Sequence, residues 1–347
     1  MPGAAFHPLA VTAVEPLTDD SAAVTFAVPP DLADRFAFAP GQTLTVRLGR
    51  ERRSYSICAA YGQAPRIGVR IVPGGAVSER LVRGVRPGDT VDVSVPTGRF
   101  TPDLTVAGQH VLIGAGSGIT PLLSIAGSVL AAQERSTVTL LYGNRRASSV
   151  MFADEVADLK DSYPARMQVV HVLSREPQEV DLFSGRLDPD RLRALLPVTV
   201  DVAGVDHWWL CGPIGLVDGA IGVLTDLGVP RDRVHRELFY VEDVPPAEVR
   251  HEDATVQGSR VTVLLDGRAS VVDVPAGTPI LDAAQHVRPD LPFACKGGVC
   301  GTCRAKVTDG QVRMRRNYAL EPDEVEAGYV LTCQSLPLGP VTVDYDA

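Results

Sequence analysis

The 347-residue sequence predicts a multidomain α-and-β chain built in three parts. An antiparallel β-barrel is expected over 1–104 and an α/β parallel-sheet unit over 105–241. A linker at 242–258 leads to a small β-grasp-like α+β unit over 259–347. Three observations predict this. Short Val-, Ile-, Leu- and Thr-rich runs, punctuated by Pro-Gly and Gly-Gly pairs, fill the first third. Beyond Gly108 strand-like runs alternate with helical segments, the pattern of a parallel sheet with helices on both faces. The last part holds four of the six cysteines in and after a glycine-rich loop.

The barrel rests on the runs Val11 to Val14, Ala23 to Val28, Leu44 to Leu48, Ile67 to Val72 and the alternating Val91 to Val95. Pro40-Gly41, Gly74-Gly75 and Pro87-Gly88 supply turns, and Val77 to Val82 reads as its one short helix. In the α/β part, strands are expected at His110 to Ile113, Val138 to Tyr142, Val169 to Leu173, Trp208 to Cys211 and Val234 to Phe239. Helices are expected at Pro121 to Ala132, Phe152 to Leu159, from Asp188-Pro189 as N-cap and first residue, and at Ile214 to Leu227. Pro245-Pro246 amid charge marks the linker; its Glu248-x-x-His251 lacks the second copy and further glutamates of a di-iron motif. Strands Arg260 to Leu265 and Ala269 to Val274 flank the hairpin signal Asp266-Gly267, and a helix at Pro279 to Val287 enters the cysteine loop.

Composition removes several function classes. A net charge of −9 argues against general nucleic-acid binding. Met1-Pro-Gly-Ala-Ala-Phe-His-Pro8 has no basic segment followed by an apolar run, so no secretory signal is expected. No apolar run reaches the ~18 residues needed to span a bilayer. The expected setting is a reducing cytoplasm, where clustered cysteines read as metal ligands before disulfides.

Cys295, Cys300 and Cys303 follow C-x4-C-x2-C, and Cys333 stands further on. That is the plant-type spacing for a [2Fe–2S] cluster held by four thiolates. Gly297, Gly298 and Gly301 would let amides turn toward it. The alternatives are a zinc site, which usually pairs its cysteines in two short knuckles, and disulfides. In Arg53-Ser54-Tyr55-Ser56, the arginine, tyrosine and second serine are expected on one strand face, for a phosphate, a flat heterocycle and its rim. Gly74-Gly-Ala-Val-Ser78 opens a short helix whose amides suit a pyrophosphate. Gly114-Ala-Gly-Ser-Gly-Ile-Thr-Pro121 joins a strand to a helix, as a dinucleotide pyrophosphate site does, although not in the G-x-G-x-x-G spacing. Cys211-Gly212-Pro213 ends a later strand, where open α/β sheets bind ligands.

Arg53 to Ser56, Gly114 to Pro121, Cys211 to Pro213 and Glu237-Leu-Phe239 occur in the order seen in the ferredoxin-NADP reductase superfamily. With the terminal cysteine loop the chain resembles an oxygenase reductase component. Leu141 to Phe152, Leu291 to Arg304 and Arg316 to Leu320 resemble the reductase family of the phenylacetyl-CoA epoxidases. The resemblance implies electron flow from NADPH through FAD and a [2Fe–2S] cluster to a di-iron oxygenase. The flavin converts paired electrons to single ones. It implies that Arg53, Ser54, Tyr55, Ser56, Arg70, Ile71, Gly75 and Ser78 hold FAD, although Arg-x-Tyr-Ser serves FMN as well. Gly114, Gly116, Gly118, Thr120, Gly212 and Pro213 would line the nicotinamide nucleotide, with Cys211 beside its reactive ring. Glu237 and Phe239 match an acidic and aromatic pair near the flavin, so Ser56, Cys211 and Glu237 are the implied catalytic set. Ser174 and Arg175, with Arg145 and Arg146, would bind the 2′-phosphate of NADPH. Arg313, Arg315 and Arg316 are a candidate patch for an acidic partner. The rival readings are a reductase for another ring-attacking oxygenase, and an iron–sulfur redox sensor.

Overall fold

The computed structural model describes residues 6–49, 51–239 and 258–347. The Glu248-x-x-His251 motif and most of the expected linker lie outside them. Two compact units result: one of residues 7–51 and 55–239, the other centred on the C-terminal part, with which Phe6 and Arg52–Ser54 are grouped.

In the first unit six antiparallel strands form one sheet: β1 (Phe6–Thr18), β2 (Ser21–Ala27), β3 (Thr43–Leu48), β4 (Glu51–Ser56), β5 (Arg66–Arg70) and β6 (Thr90–Ser94). Their order is β4-β3-β6-β1-β2-β5. A bridge between Ile57 and Ile67, with the Cys58 amide donating to the Arg66 carbonyl at 2.8 Å, joins the two edges into a barrel. Closure removes the unpaired edges that an open sheet would expose. Leu9, Val24, Phe26, Val46, Ile57, Ile67 and Leu81 fill the interior, each fully buried. A turn of helix, α1 (Ala33–Phe36), seats Phe36 there. The expected helix at Val77 to Val82 is α2 (Ala76–Glu79) running into a wider turn at Arg80–Gly84. Strand β1 is far longer than its apolar run, because pairing with β2 carries Pro16 and its polar neighbours along.

The parallel sheet consists of β7 (Gln109–Ala115), β8 (Thr137–Asn144), β9 (Met167–Leu173), β10 (His207–Gly212) and β11 (Val234–Leu238), in the order β11-β10-β7-β8-β9. Helices α3 (Ile119–Ala132), α4 (Ala153–Ser162), α5 (Pro189–Thr199) and α6 (Ile214–Asp226) make the crossovers. Right-handed connections put α3 and α4 on one face and α5 and α6 on the other. Asp188 caps α5 as its sequence predicts, its carboxylate accepting from the Arg191 amide at 2.9 Å, an interaction of about 1 kcal/mol. Phe152 does not begin α4 but precedes it in the left-handed region (φ 57°). Its buried ring meets Gly68 on β5, where a Cβ would stand 2.8 Å away. Arg66 on the same strand binds Glu155 of α4 through both guanidinium nitrogens at 2.8 Å. The barrel and the parallel sheet are thereby fastened together.

The second unit is a mixed sheet, β13-β12-β18-β14-β16. Its strands are β12 (Ser259–Leu265), β13 (Arg268–Val274), β14 (Arg304–Asp309), β16 (Tyr329–Leu331) and β18 (Val341–Asp344). Strands β15 (Val312–Met314) and β17 (Ser335–Pro337) pair separately. Helix α7 (Ile280–Ala284) is shorter than its apolar pattern, and α8 (Pro322–Glu326) precedes β16. Asp266 and Gly267 both take positive φ in the β12–β13 turn, as a two-residue hairpin requires. No helix among the described residues is long and apolar enough to cross a membrane.

One face of the parallel sheet carries an aromatic stack. Trp209 lies 4.1 Å from His235 between ring centroids and donates its indole N–H to His110 Nδ1 at 3.1 Å. His207 stacks on His110 and meets His235 nitrogen to nitrogen at 3.3 Å. Burial and the charge of His207 push His110 and His235 down to about 4, against weaker opposing pulls from Asp206 and Asp232. Unfolding frees these rings to take protons near the ordinary value of about 6.5. Stability is therefore complete above pH 6.5 and declines as pH falls toward 4. Thermal melts between pH 7 and pH 4.5 should show a shallower decline for His110→Gln than for the parent; equal slopes would contradict this role of the stack.

Candidate functional site

The strand order reverses between β7 and β10, the switch point at which open α/β sheets leave a crevice beyond their carboxyl ends. Cys211 pairs with Gly114 across it. The turn after β7 enters α3 through Gly116–Gly118, and a Cβ on Gly118 would stand 2.2 Å from the Cys211 carbonyl oxygen. Only glycine permits this approach. Gly116 takes φ 54° and its carbonyl accepts from the Tyr142 hydroxyl at 3.0 Å. Thr120 is buried and donates to the Ser117 carbonyl at 2.7 Å. The helix thus begins with its backbone beside the crevice, the arrangement that suits a pyrophosphate.

Three side chains from distant parts of the chain meet here. Ser56, at the end of β4, donates to Glu237 Oε2 on β11 at 2.9 Å. Cys211 Sγ, on the neighbouring strand β10, lies 4.0 Å from the same oxygen. Both Ser56 and Cys211 are buried. Burial pushes the Glu237 carboxyl up to about 7, while the bond from Ser56 pulls it down. A buried carboxyl in this range can hold or release a proton near neutrality. Burial and the Glu237 charge raise the Cys211 thiol, which stays protonated. Phe239 follows directly, its amide bound to the Gly212 carbonyl at 3.1 Å, and Pro213 precedes α6.

Strand parity corrects one expectation. Side chains alternate along β4, so Arg53 and Tyr55 share one direction and Ser54 and Ser56 the other. Arg53 is exposed, Tyr55 is half-buried against the barrel core, and Ser56 is buried. The Gly74–Ser78 turn is built as a tight cradle. Ser78 Oγ accepts from the Val72 amide at 3.1 Å and donates to the Gly75 carbonyl at 2.9 Å, and a Cβ on Gly75 would clash with Ser78 Oγ at 2.8 Å. Arg70 bonds Asp20 and, at 2.7 Å, the Ser149 carbonyl; the Ile71 amide donates to Asp20. At the outer end of the parallel sheet the Arg175 amide donates to the Arg145 carbonyl at 2.8 Å, and the Ser174 amide to Asn144. Arg145, Arg146 and Arg175 are exposed at this corner, beside Glu176, which accepts from the Ala147 amide.

All six cysteines of the chain are free thiols, which leaves Cys295, Cys300, Cys303 and Cys333 of the second unit available as ligands. They are arranged as two pairs. Cys300 bonds Cys295, and Cys303 bonds Cys333, pulling the acceptor thiols below their usual range. Among the described residues no three His, Cys, Asp or Glu side chains converge as ligands of a single metal ion. The amides of Gly297, Val299 and Cys300 point at Cys295, and that of Gly298 at Cys333. Thr302 bonds Cys300, and Gln334 bonds Cys333. Neither these two donors nor Tyr142 was expected from the sequence. Position beside a ligand was the one available signal for Thr302 and Gln334.

Comparison with known proteins agrees with each part. Residues 8–101 match an oxidoreductase FAD-binding domain, 112–221 an oxidoreductase NAD-binding domain, and 263–338 a 2Fe-2S iron-sulfur cluster binding domain. The chain is 42% identical to a subunit of 1,2-phenylacetyl-CoA epoxidase from Escherichia coli (strain K12), over 99% of this chain and 98% of that one. It is 36% identical to the ferredoxin reductase component of 3-ketosteroid-9-alpha-monooxygenase from Rhodococcus rhodochrous, over 95% and 94%. Phthalate dioxygenase reductase shares the fold, with a TM-score of 0.63 at 23% identity over 98% of both chains. The chain belongs to the ferredoxin reductase-type family of oxygenase reductase components, passing electrons from NAD(P)H through FAD to a [2Fe–2S] cluster.

Proposed function

We propose that the chain is the NADPH-dependent reductase of a di-iron oxygenase that epoxidises the ring of phenylacetyl-CoA. The observation that carries this reading is the 42% identity with a subunit of 1,2-phenylacetyl-CoA epoxidase over essentially the whole of both chains. A bound flavin accepts electrons in pairs and releases them singly. The chain's own residues do the rest. Arg53, Gly75 and Ser78 would hold the flavin's phosphates, Tyr55 would pack on its ring, and Ser54, Arg70 and Ile71 would complete its binding site. Gly114, Gly116, Gly118, Thr120, Gly212 and Pro213 shape the nucleotide crevice. Ser56 and Glu237 would hold a proton beside the reacting rings, Cys211 would sit beside the nicotinamide, and Phe239 would lie near the flavin. Cys295, Cys300, Cys303 and Cys333 ligate the cluster.

The 3-ketosteroid relative favours a second reading, a steroid-ring monooxygenase as acceptor. Product formation with each purified oxygenase separates the two: the epoxidase should turn over with this chain as reductase, and exclusive support of the steroid enzyme would overturn the first reading. Contact with the oxygenase falls to Arg313, Arg315 and Arg316. Reversing all three charges should slow reduction of the oxygenase more than that of cytochrome c, and equal slowing of both would count against the patch.

Preference for NADPH rests on the exposed Arg145, Arg146 and Arg175, because guanidinium groups bind a phosphate bidentately. Arg175→Gln should lower kcat/KM for NADPH about tenfold, the size of one charge-assisted hydrogen bond, and leave NADH nearly unaffected. Equal kcat/KM for the two nucleotides in the parent protein would refute the preference.

A further inference from the structure

Gln334 is buried, 6% exposed, and stands next to Cys333. Its side-chain nitrogen donates to the Lys296 carbonyl at 2.8 Å and to Cys333 Sγ at 3.7 Å. Both neighbours are acceptors, which fixes the orientation of the amide. Its backbone is held as well: its amide donates to the Leu331 carbonyl, and its carbonyl accepts from Arg315, each at 2.8 Å. Gly298 walls the side chain, since a Cβ there would stand 3.0 Å from Gln334 Cγ, and Gly298 takes φ 80°. A long, flexible side chain is thus confined to one pose, with its donor aimed at a sulfur.

We infer that Gln334 is a positioning residue that sets the reduction potential of the cluster by donating a hydrogen bond to Cys333. The inference rests on the reading of Cys333 as a cluster ligand. A donor to a ligand sulfur withdraws electron density and favours the more negatively charged reduced state, which raises the potential. Gln334 couples this effect to the cysteine loop, because the same amide group grips Lys296, the residue after Cys295. Thr302 also donates to a cluster cysteine, Cys300.

The test is an anaerobic redox titration of the holoprotein, followed by the electron paramagnetic resonance of the reduced cluster. Gln334→Met keeps the length and removes the donor. Its midpoint should move negative by up to about tenfold in the one-electron equilibrium, about 59 mV. Gln334→Glu should lie lower still, because it removes the donor and adds a negative charge beside the sulfur. A purely structural role would alter stability or cluster content but would not produce the shift. A parental midpoint for Gln334→Met at full cluster content overturns the inference. Loss of the cluster from both variants rejects tuning in favour of assembly. Cys333→Ser is the separate arm: an unchanged cluster spectrum there removes the ligand reading itself, whatever Gln334 does.

Discussion

The Gly118 backbone lies so close to the Cys211 carbonyl that a single methyl group would stand 2.2 Å from the oxygen. The rest of the site follows from that approach. It brings the start of α3 against the end of β10, at the one place where the sheet's connections diverge. The crevice between them receives free amides from one side and a thiol from the other. Overpacking a core by a few methylenes typically costs about 1–3 kcal/mol, and here the obstacle is backbone, which has less room to yield than a side chain. The crevice width is therefore set by backbone rather than by rotamers.

The second constraint is electrostatic. Glu237 is a carboxyl drawn out of water and held by Ser56 from the barrel. An ionised carboxylate in such surroundings is expensive, so the group titrates near neutrality instead of near 4. The bond joins residues 181 positions apart and depends on the barrel being fastened to the parallel sheet. Arg66 with Glu155, and Phe152 against Gly68, do that fastening. Phe152 accepts a left-handed backbone at the head of α4, a conformation that a bulky residue adopts only when its surroundings over-determine it.

Local signals were legible in the sequence. Asp188-Pro189 announced a capped helix, Asp266-Gly267 a tight hairpin, and the glycines from 114 to 118 a strand-to-helix turn. Each works through its own backbone within a few residues. Long-range consequences were not legible. Nothing near Ser56 points to Glu237, and the division of the four cysteines into 295 with 300 and 303 with 333 comes from the folded loop. Strands β15 to β17 are only three residues each, too short for alternation to be read, so pairing decides them. The extension of β1 past its apolar run has the same origin. Where the reading of β4 placed Arg53, Tyr55 and Ser56 on one face, period two alone would have separated the serine.

Electrons pass from a nicotinamide nucleotide through a flavin to a cluster within one chain. Anaerobic addition of NADPH to the purified holoprotein, with the flavin identified after acid extraction, follows this path. The expected result is FAD, bleaching of its absorbance, and the appearance of the reduced [2Fe–2S] resonance in the same titration. A flavin that bleaches while the cluster remains oxidised would contradict it.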